Sequence, residues 1–126
     1  MEPGSVEQFI VDEIDSVPHL EALLLLWRDA PRQCSVRQLA DQLYVTLGRA
    51  SAIAEDLHRR GLIEREPRHD GAYFYDKRSE ERNDLIAEVE VTYRRELIRI
   101  SGIIHSKASP GIRAFADAFR LRKEKG

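Results

Sequence analysis

With 126 residues, 42% hydrophobic and 33% charged, the chain is long enough to bury roughly two-thirds of its unfolded surface, and its composition excludes a disordered protein. A net charge of −2 excludes a broadly basic nucleic-acid binder, the lone Cys34 excludes an internal disulfide, and the longest apolar run, residues 22–27, excludes a membrane span. The expectation is a cytoplasmic protein with no signal segment, folded as a single domain over 1–126.

The charge is unevenly laid out. Residues 1–31 carry seven acids and one base, 32–78 nine bases and seven acids, and 79–126 ten bases and eight acids. An acidic first third is thus followed by two mildly basic ones, and any contact with a polyanion must be local.

In chain order, Val6, Phe9, Ile10 and Ile14 share one helical face and predict an amphipathic helix at about 5–15. Ser16 is a candidate cap and Pro18 suits a first helical turn; the next helix carries a stripe of Leu20, Leu23, Leu24 and Trp27, closes at Pro31 and is predicted to be central to the core. Ser35 with Gln38 has capping-box spacing, and Val36, Leu39, Ala40 and Leu43 recur at helical intervals. A second short helix follows at about 46–59, with Ala50, Ile53, Ala54 and Leu57 on one face and Gly61 placed as a left-handed terminator.

Residues 62–77 then alternate around an Asp70-Gly71 turn signal, which predicts a β-hairpin. Beyond it Ile86, Val89, Tyr93, Leu97, Ile100 and Ile104 recur in steps of three and four over nearly 30 residues. That pattern predicts one long helix with more apolar face than a small domain covers, hence a dimer seam. Ser109-Pro110 restarts a helix with Phe115 and Phe119 on one side, predicted to dock on the N-terminal helix of the same or the other subunit. The fold class is therefore mostly α with a small β-hairpin (α+β): a helix-turn-helix core at 18–77 between helical extensions at 1–17 and 78–126.

Two short helices, a hairpin and a long helix, in that order, resemble the winged helix-turn-helix transcriptional regulators, most closely the MarR type. The string "SVRQLADQLYVTLGRASAIAEDLHRRGLIEREPRHDGAYFYD" carries the resemblance, which extends over about residues 18–105. It implies a homodimer held by terminal helices, binding double-stranded DNA at a pseudo-palindromic operator and often sensing a small molecule. The helix at 46–59 would enter the major groove and the hairpin at 62–77 would be the wing. On that basis the DNA-binding candidates are Arg37, Thr46, Arg49, Ser51, Arg68 and His69. Arg49, near the start of the recognition helix, suits a guanine or a phosphate, and Arg68 and His69 flank the wing tip. The dimerisation candidates are Ile86, Val89, Tyr93, Leu97, Ile100, Ile104, Phe115 and Phe119.

This chain departs from the family in having one arginine, Arg49, in the first half of its recognition helix, and Glu64 and Glu66 in the first wing strand. Few phosphate contacts mean weak, salt-sensitive binding, so a winged-helix module that binds a transcription-related protein partner stands as the alternative. Arg59 and Arg60 are expected to pair with Glu55 or Asp56 one turn away. Cys34 precedes a helix cap whose dipole lowers a thiol pKa, but reads as buried filler; Tyr73, Phe74 and Tyr75 read as packing rather than base-stacking residues. The four histidines lack paired ligand spacing, and no nucleophile elbow, phosphate loop or zincin motif occurs. No metal, cofactor or enzymatic activity is expected.

Overall fold

The computed structural model describes residues 5–68 and 71–108. Its elements are α1 (Ser5–Glu13), α2 (Val17–Asp29), α3 (Val36–Leu43), α4 (Leu47–Arg59), β1 (Glu64–Glu66), β2 (Ala72–Phe74), α5 (Glu80–Arg95) and α6 (Leu97–Ala108). The helix boundaries follow local chemistry. The Ser16 hydroxyl accepts the His19 N–H to start α2. Ser35 and Gln38 form the capping box, the hydroxyl accepting the Gln38 N–H at 3.1 Å and the Gln38 Oε1 accepting the Ser35 N–H at 2.9 Å. At the end of α4, Gly61 takes φ +75° and the Leu62 N–H reaches back to the Leu57 carbonyl, closing the last turn as a left-handed glycine allows.

Helix α2 is the central element, packed against α3, α4, α5, α6 and β2. Leu20, Leu23 and Leu26 from it are buried with Leu39 of α3 and Ala50, Ile53 and Leu57 of α4. Burying each such leucine or isoleucine contributes about 1.5–3 kcal/mol, which fixes the helix-turn-helix pair on one side of α2.

The wing is smaller than its sequence suggests. β1 and β2 pair antiparallel over only three residues each, with Glu64, Arg65 and Glu66 opposite Phe74, Tyr73 and Ala72. Cys34 supplies a third edge: its N–H and carbonyl exchange 2.8 Å bonds with the carbonyl and N–H of Tyr73. This stitches the wing to the start of α3 and sets its angle to the helix pair.

The predicted long helix is in fact two. At Glu96 the backbone leaves helical geometry (φ −126°, ψ 47°), although neither proline nor glycine stands there. The bend comes from packing, since α6 folds back onto α1. Arg99 bonds both Glu96 at the elbow and Glu7 of α1 (Nη1 to Oε1, 2.7 Å), and the Lys107 ammonium donates to the carbonyls of Ile10 and Val11. The apolar seam is thereby consumed within the chain. Ile86, Val89, Tyr93, Ile100 and Ile104 are all buried in the chain's own core, and only Leu97 of the six stays half-exposed. Five of the six residues expected at a dimer contact therefore pack within the chain itself. Phe115 and Phe119 lie outside the described residues.

Tyr93 joins α5 to α2 by donating its hydroxyl to Glu21 Oε1 at 3.1 Å. Burial, reinforced by the Glu21 carboxylate, pushes its phenol up to about 12. A raised folded pKa means that the stabilisation is present below the unfolded tyrosine value near 10 and is lost as pH rises through 12. Urea midpoints measured from pH 9 upward should therefore fall less steeply for Tyr93→Phe than for the parent.

Candidate nucleic-acid interface

Helix α4 presents two faces with opposite chemistry. Ala50, Ile53, Ala54 and Leu57 are buried, whereas Leu47, Gly48, Arg49, Ala52 and Glu55 are exposed and Ser51 is half-covered. Thr46 caps the helix, its hydroxyl accepting the Arg49 N–H at 3.1 Å. Its oxygen is thus already engaged, and its own proton remains free to donate. Arg37 on α3 and Arg68 at the wing turn are exposed, and the Arg68 N–H is held by Glu66 Oε1 at 3.0 Å. His69 lies outside the described residues.

The wing glutamates differ in their engagement. Glu66 is drawn back by Gln33, whose Nε2 donates to Oε2 at 3.2 Å, while Glu64 is exposed. Arg65 projects from the opposite face of β1, its guanidinium 3.1 Å from where a Cβ on Gly71 would stand. Gly71, at φ +80°, is therefore required twice, by the turn and by the arginine that crosses it. Tyr73 and Tyr75 are packing residues as expected, both being buried with Tyr73 meeting the His58 ring edge-on, whereas Phe74 is half-buried and outside the core.

Among the described residues, the arginines divide into paired and unpaired ones. Arg28, Arg59, Arg60, Arg78, Arg94 and Arg99 all stand in ion pairs. Arg32, Arg37, Arg49, Arg65, Arg68, Arg82 and Arg95 stand in no ion pair, and four of these, Arg37, Arg49, Arg65 and Arg68, belong to the helix-turn-helix and wing. Arg59 pairs with Asp56 as expected. Arg60 instead crosses to the end of α1, bonding Asp15 Oδ1 at 2.8 Å and the Asp12 carbonyl at 2.9 Å. The expected intrahelical pairing of Arg60 is thus replaced by a tie between α4 and the α1–α2 elbow.

Beside that tie lies a buried polar link that sequence spacing did not reveal. His19, 5% exposed, has Nε2 at 2.8 Å from Asp56 Oδ2 and Nδ1 at 2.5 Å from Ser16 Oγ. An ionised carboxylate only accepts, so Nε2 carries the proton toward Asp56. Positions 19 and 56 are 37 residues apart, and only the packing of α2 on α4 joins them. Asp15, His19 and Asp56 bring ligand-type atoms within 4.8 Å of one another, yet each carboxylate is already held by an arginine. Cys34 is half-buried, its thiol pushed up by burial and by Asp29, with Arg32 opposing. That shift works against a reactive thiolate.

Residues 16–72 match the model of the MarR family. The winged helix of this chain is of the MarR type. Solved structures agree over nearly the whole chain. RV1404 from Mycobacterium tuberculosis is 22% identical with a TM-score of 0.55, over 95% of this chain and 80% of that one. A MarR family protein from Bacillus stearothermophilus is 18% identical (TM-score 0.53, 95% and 81% covered), and the heme sensor PefR from Streptococcus agalactiae, solved with heme, is 12% identical (0.54, 96% and 80%). No curated protein sequence matches the chain. The MarR-type frame makes α3 and α4 the helix-turn-helix and β1–β2 the wing. No helix among the described residues is long and apolar enough to cross a membrane.

Proposed function

We propose that this chain is a cytoplasmic, non-catalytic transcriptional regulator that binds double-stranded DNA as a homodimer, α4 entering the major groove and the wing lying on the flanking backbone. The observation that carries the reading is the group of unpaired arginines in the helix-turn-helix and wing. Arg37, Arg49 and Arg68 are left without acidic partners on the surface that the MarR-type frame turns to DNA, whereas Arg28 on α2, Arg94 on α5 and Arg99 on α6 stand in ion pairs. Unpaired guanidinium groups are what a phosphate backbone exchanges for its counterions.

The reading is tested by fluorescence anisotropy with a duplex selected from a random pool by the full-length protein. Affinity should fall linearly on a log–log plot against salt, with a slope set by a handful of phosphates. A flat salt response, or retention of a protein partner in place of DNA, would overturn it.

The dimer surface proposed here replaces the buried seam with the exposed apolar residues Val11 of α1, Val91 of α5, and Leu97 and Ile98 at the elbow, the last 88% exposed. Leu97→Glu with Ile98→Glu should convert the protein to a monomer by light scattering and, by removing one of two half-site contacts, weaken DNA binding at least 100-fold, or about 3 kcal/mol. A small-molecule effector would enter the cleft of about 270 Å³ between α2, α3 and α5, lined by Leu24, Arg28, Gln42, Glu90 and Tyr93.

A further inference from the structure

The turn between α3 and α4 holds an arrangement that folding does not explain. Tyr44 ends α3 in the left-handed conformation (φ 57°, ψ 44°), the place where helix-turn-helix turns favour glycine, and its side chain is 94% exposed. An aromatic there strains the backbone and gives the core nothing in return. Three residues on, Leu47 opens α4 half-exposed, so an apolar pair brackets the Thr46 cap at the leading edge of the helix pair. Beside the pair on α4 stands Arg49, its guanidinium with no partner among the described residues, and Arg37 is likewise unpaired at the start of α3. Arg49 favours an anionic occupant, against the exposed Asp41 one turn before Tyr44, and the apolar pair selects one that also offers methyl groups and flat rings.

Resting on the DNA-binding reading above, we propose that Tyr44 and Leu47 form a thymine-reading tip. Leu47 packs on the C5-methyl of a thymine in the major groove, and Tyr44 lies along the adjoining sugar-phosphate, its hydroxyl donating to a phosphate oxygen. Apolar side chains read thymine by its methyl group, and tyrosine is a regular phosphate donor. The tip accounts for what the sparse recognition helix lacks, because Gly48 and Ala52 on its exposed face offer no polar group to a base. It also accounts for an aromatic residue kept where glycine would fold better.

The test uses the full-length protein and a duplex that it selects from a random pool, with each thymine replaced in turn by deoxyuridine, which deletes only the methyl. At one or two positions per half-site the replacement should weaken the parent about three- to five-fold, the worth of one buried methyl, and should leave Leu47→Ala unaffected. Tyr44→Gly should bind several-fold more weakly while its Tm stays equal or rises, and Tyr44→Phe should lose a smaller part of the affinity.

Leu47→Ala and Tyr44→Gly binding like the parent, with Arg49→Ala still weakened, would overturn the tip and leave the DNA-binding reading standing. A Tyr44→Gly protein whose Tm falls together with its affinity would assign Tyr44 to folding and overturn its contact role. A parent protein that retains no duplex at low salt would overturn both readings.

Discussion

Replacing Arg49 and Arg68 together by alanine is expected to lower affinity for the selected duplex at least 100-fold at moderate salt and to flatten the salt dependence. Each contact of this kind is worth about 1–3 kcal/mol, and a homodimer makes each of them twice. If both arginines bind phosphate, the log–log salt slope should fall by roughly 3–4, that is, four lost contacts at about 0.9 each. If Arg49 instead reads guanine, the slope falls by half that amount and discrimination at one base pair per half-site is relaxed. Arg78→Ala is the control, because that arginine is already paired with Asp76 and removing it changes the net charge equally. Equal losses from Arg78→Ala and from either candidate would mean that total charge, not the MarR-type surface, governs binding. Arg37→Ala should add a smaller loss of the phosphate kind.

His19→Leu is expected to destabilise the fold by about 2 kcal/mol, roughly 6–10 °C in Tm, although leucine restores most of the lost volume. The cost arises from Asp56, which loses the imidazole N–H at 2.8 Å while its side chain stays only 29% exposed. Water and Arg59 compensate in part, which keeps the figure below that of a fully buried broken pair. The double substitution His19→Leu with Asp56→Asn should be less damaging than the sum of the two singles, since asparagine leaves no unmatched charge. Thermal melts of the four proteins measure the coupling, and additive losses would show that the two side chains do not depend on each other. The same link should matter for DNA. His19–Asp56 ties α4 to α2 and Arg60–Asp15 ties its end to the α1–α2 elbow, so loosening them should raise the entropy cost of seating α4 in a groove.

Local chemistry made much of this fold legible in the sequence. Ser35 with Gln38, Thr46 ahead of Leu47, Gly61 after Arg60 and the Asp70-Gly71 signal mark boundaries because caps and turns are decided by residues within one helical turn of each other. The apolar stripes of α2 and α4 were legible for a similar reason, since a 3.6-residue period states which face is buried. The MarR-type arrangement was legible as an order of such elements.

What tertiary structure alone decided lies where local preference is neutral or where partners are far apart in the chain. Nothing in Arg94-Arg95-Glu96-Leu97 breaks a helix, and a straight seam from Ile86 to Ile104 satisfies the periodicity equally well. The bend at Glu96 exists because α1 offers Glu7 and an apolar face for α6 to fold onto, which turns a foreseen subunit contact into core. Arg60 had acids one turn away and took partners 45 and 48 residues distant, because only packing brings the α1–α2 elbow within reach of α4. His19 and Asp56 met for the same reason. The sequence determined which groups this protein would present, and the three-dimensional packing determined which of its arginines were paired with its own acids and which were left for a ligand.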